Sequence, residues 1–308
     1  MKPRIPPSER GAALLAVLAM VMLLAGFASL GLSRLRAATD RITDSEARSE
    51  AQILANSGTA AALGMIHLLK AQSHRNPKLM QAPIRIPLGE GQVELRFSDA
   101  GNCFNLNSLA RQQQLSAGTG TQAQSRAADF ARLLAATGIP QLEASTIAQA
   151  TASRLSQTGM LWADASEWVT VPGVTAQHWQ MAGALLCALP NREVSAMNVN
   201  SLRPEQAPLL ASMGLGADEA RRALANRPEE GWTSANQFWD QASSSGTPDT
   251  AGAEMVGTSS RWIELKLLAR TPRAAAGREL LLDTMRQPAR VATSRWLAVE
   301  ESVQEERP

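Results

Sequence analysis

Residues 8–32 read SERG followed by AALLAVLAMVMLLAGFASLGL, and the fold turns on how that junction at Gly11–Ala12 is read. Ala12 to Leu32 is 21 residues without a charge. At 1.5 Å per residue such a helix is about 32 Å long, enough to cross a bilayer core of about 30 Å. Lys2, Arg4 and Arg10 precede it. By the positive-inside rule the amino terminus stays in the cytoplasm and everything after Leu32 lies beyond the inner membrane, as a single-pass topology. A secretory signal peptide is one reading, with small residues between Ala25 and Ser33 as its cleavage region. A plain membrane anchor is another.

A third reading uses the polar, basic leader that ends in Gly directly before the apolar run. This resembles a type IV prepilin leader, cut between Gly11 and Ala12 with Ala12 then N-methylated, so that the apolar stretch is retained. The sequence downstream favours retention. No Pro occurs between Pro7 and Pro77, so nothing forces the helix to stop after Leu32. Ala47, Ala51, Leu54, Gly58, Ala61, Met65 and Leu68 step by three and four. The pattern predicts one helix from about Ala12 to about Lys70, roughly 88 Å long, apolar first and amphipathic later. Its small-residue face Ala47, Ala51, Leu54, Gly58 and Ala61 is the expected surface for partner helices. Major pilins carry a Glu five residues into the mature chain, pairing with a neighbour's terminal amine. Here that position is Ala16.

Ile84–Ile86 and Gln92–Phe97 flank Gly89-Glu90-Gly91 and read as a β-hairpin, with a turn at Asp99-Ala100-Gly101. Two N-x-N-S-L segments, Asn105–Leu109 and Asn198–Leu202, each open a helical stretch. Asn and Ser are good helix N-caps, which accounts for them without a ligand. The sequence between them shows no further repetition. Short helices follow from Glu205 to Asp240, then a Ser/Gly/Thr/Pro-rich loop from Ser243 to Thr258. Arg261–Leu268, Arg278–Thr284 and Arg295–Glu300 read as strands. Strands on both sides of a helical block imply one domain with a helical insertion.

The Gly-ended leader, the absent Glu, the N-x-N-S-L motif after a strand, and SEWVTVPGVT…LLCALP…MNVNSL in order resemble the minor pseudopilin K family of type II secretion, the general secretion pathway. The likeness runs from about Arg10 to about Glu300. It implies an α+β, type IV pilin-like fold: a long N-terminal helix packed on an antiparallel sheet, with a large all-helical, SAM-like or helix-hairpin-helix-like insertion. The implied divisions are leader 1–11, membrane-spanning helix 12–32, periplasmic helix and first strands 33–101, insertion 102–247, closing strands 248–302 and tail 303–308. The insertion would hold two SAM-like subdomains, about 102–195 and 196–247. The implied role is structural and non-enzymatic: capping the tip of the periplasmic pseudopilus, and helping its initiation and the export of folded proteins. The implied partners are two other minor pseudopilins of the I and J type, the major pseudopilin, the prepilin peptidase and the inner-membrane secretion platform, with no nucleic acid. Family resemblance also implies calcium in the head, for which Asp249 and Glu254 in the polar loop are the candidates.

Composition agrees with a non-catalytic role. Lys+Arg is 30 against Asp+Glu 28, so the basic excess needed to coat nucleic acid is missing. His67, His74 and His178, with Cys103 and Cys187, form no zinc spacing, and no nucleophile-elbow, P-loop or dinucleotide motif occurs. His178 has no nucleophile at useful spacing and reads as a satisfied helical His. Val171-Pro172-Gly173-Val174 resembles a helix-hairpin-helix turn, and a membrane-anchored DNA-uptake protein is the competing reading. No Lys or Arg surrounds that turn. In an oxidising compartment Cys103 and Cys187 allow one intramolecular disulfide, the alternative being two buried thiols. The seven Trp, with no Tyr and five Phe, are expected in the core.

Overall fold

The computed structural model describes residues 7–73, 82–113, 121–243 and 255–299. Helix α1 (Pro7–Ser73) is one 67-residue element, about 100 Å long. The described side chains of its first third, from Leu14 onward, are exposed. Burial begins at Ala47 and continues through Ala51, Ala55, Ala62 and Ile66, the face that lies on the sheet.

That sheet has five antiparallel strands in the order β1-β2-β7-β8-β9. They are β1 (Ile84–Leu88), β2 (Gly91–Asp99), β7 (Trp262–Arg270), β8 (Ala275–Asp283) and β9 (Arg290–Leu297). Period-two alternation sends Val93, Leu95, Phe97, Leu265, Leu267, Leu280 and Leu282 to the helix face. The other face is charged, with Glu94 between Arg85 and Arg96, and Glu279 between Lys266 and Arg295. The last strand begins at Arg290, earlier than its apolar content suggests. Its polar first half, RVATS, takes its place through pairing with β8 rather than through burial. Trp296 on this strand is 49% exposed, whereas Trp168, Trp232, Trp239 and Trp262 are buried.

Residues 100–261 lie between two directly paired strands, since Asp99 is opposite Ile263 at the start of β7. They build a second apolar core, separate from that of the sheet. Its first unit runs β3 (Phe104–Asn105), a 3-10 segment (Leu106–Gln113), α2 (Thr121–Ala136), α3 (Gln141–Thr158), a 3-10 turn (Ala165–Thr170), α4 (Ala176–Ala182) and β4 (Leu186–Cys187). The second runs β5 (Met197–Asn198), α5 (Pro208–Ala211), α6 (Ala217–Ala225), α7 (Ala235–Ala242) and β6 (Val256–Gly257). Each unit closes with a short parallel pair, β3 with β4 and β5 with β6. The second unit therefore reaches past residue 247.

The face expected to meet partner helices packs on the chain's own sheet instead. Ala47, Ala51 and Gly58 are buried, Leu54 is half-buried against the sheet core, and Ala61 is half-buried. Small residues let a helix approach closely, and the periodicity alone does not say whether the approaching surface is another subunit or the same chain. A Cβ on Gly58 would meet Val93 Cγ1 at 2.6 Å and Leu267 Cδ1 at 3.0 Å. Gly58→Leu should therefore destabilise the head itself by about 1–3 kcal/mol. Ile53→Ala on the exposed side should stay within about 0.5 kcal/mol. Chemical denaturation of both variants checks this, and equal midpoints would contradict the packing.

Candidate functional site

The groups that demand explanation are the anchor helix, the two Asn motifs and the joint between sheet and insertion. On the anchor, Gly11 and Ala12 lie within α1, and Ala16 is exposed among exposed apolar neighbours such as Leu14 and Leu18. A helix this apolar with no burial suits a bilayer.

The Asn motifs are wired alike. Asn105 Oδ1 accepts the Asn107 N–H (3.2 Å), and Asn198 Oδ1 accepts the Asn200 N–H (3.1 Å). Asn107 then clamps Trp162, accepting its backbone N–H (2.8 Å) and donating to its carbonyl (2.9 Å). Asn200 clamps Trp232 in the same way, at 2.7 and 2.9 Å. Ser108 and Ser201 each donate to the carbonyl three residues back. Arg126 lies over the Phe104 ring at 4.1 Å and Arg227 over Trp232 at 5.6 Å. Burial lowers the Arg126 pKa to about 10, which leaves it charged at neutral pH. In each motif the first Asn bonds the N–H two residues on, which at Asn105 caps the Leu106–Gln113 segment, while the second Asn is a long-range clamp; together they mark a duplicated unit that residue identity alone conceals.

Each unit contains a helix-hairpin-helix turn. Gly138 (φ +100°) joins α2 to α3 and Gly214 (φ +90°) joins α5 to α6, in the left-handed region that favours Gly. After them Ile139 and Leu215 are buried and donate to Leu134 and Leu210. A helix N-terminus offers free N–H groups to phosphate. Here an acid lies in the first turn after each hairpin. Glu219 Oε2 accepts the Gly216 N–H at 3.3 Å, and Glu143 in the first turn of α3 bonds His178 Nε2 at 3.2 Å. At the Val171–Val174 turn, His178 Nδ1 accepts the Thr175 N–H at 3.1 Å.

The joint is built on Asp99, at the end of β2. Its carboxylate accepts the Gly101 N–H (2.9 Å) and the hydroxyls of Ser201 and Ser260. Asn102 accepts the Asn198 N–H (2.8 Å) and donates to the Asn198 carbonyl (3.1 Å). Loss of water pushes the Asp99 pKa up despite those donors. Burial lowers that of Lys70, opposed by the fields of Asp99 and Asp283. The sequence offered Asp99 only as a turn residue, because its partners lie about one hundred residues and more away. Cys103 and Cys187 form a disulfide across β3 and β4 (Cα–Cα 5.7 Å). Asp249 and Glu254 lie outside the described residues. Among the described residues no group of three or more His, Cys, Asp or Glu side chains converges as a metal site.

A membrane-length helix whose second half covers an antiparallel sheet defines a type IV pilin-like subunit, here enlarged by a duplicated helical insertion. The family profile "Type II secretion system (T2SS), protein K" matches residues 197–259. The type II secretion system protein K of Klebsiella pneumoniae is 30% identical over 277 residues, 80% of this chain and 83% of that one. The chain belongs to the type II secretion system protein K family. The Aeromonas hydrophila member is 27% identical over 184 residues, 50% of this chain, which spans about half (55%) of that relative's length. A chain of the GspK-GspI-GspJ crystal structure from enterotoxigenic Escherichia coli has the same fold: TM-score 0.64 and 22% identity, covering 84% of this chain and 100% of that chain.

The raised Asp99 pKa has a sign. Its unfolded value is near 3.8. The native state thus binds more protons than the unfolded state above that pH. The contribution is fully present below about pH 3.8 and is lost as pH rises through the folded value. Stability of the wild type relative to Asp99→Asn should fall as pH rises from 4. A pH series of denaturant midpoints reads it, and parallel curves would refute it.

Proposed function

We propose that this chain caps the tip of a periplasmic pseudopilus, helps initiate that fibre, and thereby takes part in exporting folded proteins across the outer membrane. The role is structural rather than enzymatic. Ala16 carries the reading. An incoming subunit offers its terminal amine to a Glu on the subunit beyond, and leaving a buried ammonium unpaired costs several kcal/mol. A subunit without that carboxylate is disfavoured inside the fibre and tolerated at its end. The bulk of residues 102–247 supports the same placement. The basic leader supports a cytoplasmic amino terminus and a periplasmic head. Two other minor pseudopilins, of the I and J type, are the tip partners, as the complex that names the structural relative suggests. The major pseudopilin, the prepilin peptidase and the secretion platform are the remaining partners. The DNA-uptake alternative is disfavoured by the missing basic excess, with Lys+Arg 30 against Asp+Glu 28.

Two measurements test this together. Intact-mass analysis of membrane-extracted protein should give a chain beginning at methylated Ala12. Immunogold labelling should mark one end of each fibre. A chain starting at Met1, or label scattered along the shaft, would overturn the proposal.

Calcium belongs to the same proposal, with Asp249 and Glu254 as carboxylate ligands of a hard cation that takes six to eight oxygens. Chelation should lower the melting temperature of the head, and Asp249→Asn with Glu254→Gln should abolish the difference. Identical melting with and without calcium would remove the ion from the proposal.

A further inference from the structure

The apolar run of α1 ends at Leu32, and the first charges after it are both cations, Arg34 and Arg36. The first acid, Asp40, comes eight residues past Leu32. The helix is unbroken through this stretch, so each height follows from its rise. Arg34 and Arg36 sit roughly 3 and 6 Å beyond Leu32, whereas Asp40, Arg41 and Asp44 begin roughly 12 Å beyond it. The polar layer on each side of a bilayer core is about 5–8 Å thick. The two Arg therefore stand at the height of the lipid phosphates, and the acids stand clear of them.

Local packing leaves both side chains to the lipid, for both are exposed. One helical turn to either side of Arg34 are Leu30, Gly31, Ala37 and Ala38, none of them acidic. Arg36 has Asp40 one turn on, in the weaker order with the cation N-terminal to the acid. Ser33 donates its hydroxyl to the Leu30 carbonyl at 2.9 Å, so it needs no water and the apolar surface runs up to Arg34. Leu30 and Leu32 are exposed just below the two cations. A lipid satisfies both surfaces at once, its phosphate on the guanidinium and its acyl chain on Leu, which a free anion does not. A guanidinium takes a phosphate through two parallel N–H donors. In a zwitterionic headgroup the phosphate has its own cation as a competitor, and in phosphatidylglycerol it has none. Cleavage after Gly11, as proposed above, removes Lys2, Arg4 and Arg10 and leaves Arg34 and Arg36 as the charged side chains nearest the span.

We propose that Arg34 and Arg36 bind the phosphates of anionic phospholipids in the leaflet that faces the head, and so fix the height of α1 in the bilayer. The site rests on the reading of residues 12–32 as a membrane anchor.

The full chain is reconstituted in nanodiscs of phosphatidylcholine and phosphatidylglycerol in equal amounts, and native mass spectrometry counts the lipids it retains. Lys2→Gln, Arg4→Gln and Arg10→Gln are present throughout, so that the leader adds no pull of its own. The retained lipid should be enriched in phosphatidylglycerol, and Arg34→Gln with Arg36→Gln should lower that preference about tenfold. Arg48 and Arg273 line one groove of the head, roughly 24 Å beyond Leu32. Arg48→Gln with Arg273→Gln removes the same charge there and should leave the preference unchanged. Inorganic phosphate in place of chloride, at constant ionic strength, should leave it unchanged too. Equal preference in the two double variants, or its loss to inorganic phosphate, overturns the lipid site and leaves the anchor standing. A chain that does not enter the discs overturns both.

Discussion

The direct pairing of β2 with β7 governs this structure. Asp99 faces Ile263 in register although residues 100–262 intervene. An insertion between paired neighbours must leave and return at one end of the sheet, so its first and last residues are forced together. The polar groups there lose water and must find partners, since a buried unsatisfied donor or acceptor costs about 1–3 kcal/mol. Asp99, Asn102, Asn198, Ser201 and Ser260 satisfy one another at that point. Three chain segments share one network, so the insertion is oriented on the sheet rather than merely tethered to it.

The same economy appears inside the insertion. Two units of modest size share one apolar core, and each is closed by only two residues of parallel strand. Such short pairs hold little by themselves. The Asn107–Trp162 and Asn200–Trp232 clamps supply buried hydrogen bonds that fix each returning loop. In the first unit the disulfide adds chain-entropy stabilisation, about 4–5 kcal/mol for a loop of this length. The second unit has no cysteine and closes instead through Ser260 and Asp99 at the joint.

Surface consequences follow from where α1 lies. One helix is narrower than a five-stranded sheet, so covering β2, β7 and β8 leaves β9 bare. The two edges are treated differently. β1 contains Pro87, which removes a ladder donor, whereas β9 has no Pro and keeps a Trp beside the helix. The charged outer face of the sheet discourages stacking.

Much of this was legible from residue order. An uncharged run of 21 residues, an uninterrupted helical pattern and period-two strands on both sides of a helical block depend on local physics: hydropathy, the absence of Pro and the alternation of side chains. From those come the long helix, the sheet, the insertion and the anchor. Other features depended on groups distant in sequence. The Ala47–Ala61 face packs on the chain's own sheet because close approach rewards any apolar surface, and periodicity does not name it. The duplication is invisible as sequence because the clamps need only Asn, Trp backbone and a Gly turn, while the residues between them are free to diverge. Asp99 looked like a turn and is the joint, since its meaning lies in Ser201 and Ser260, which only folding brings to it.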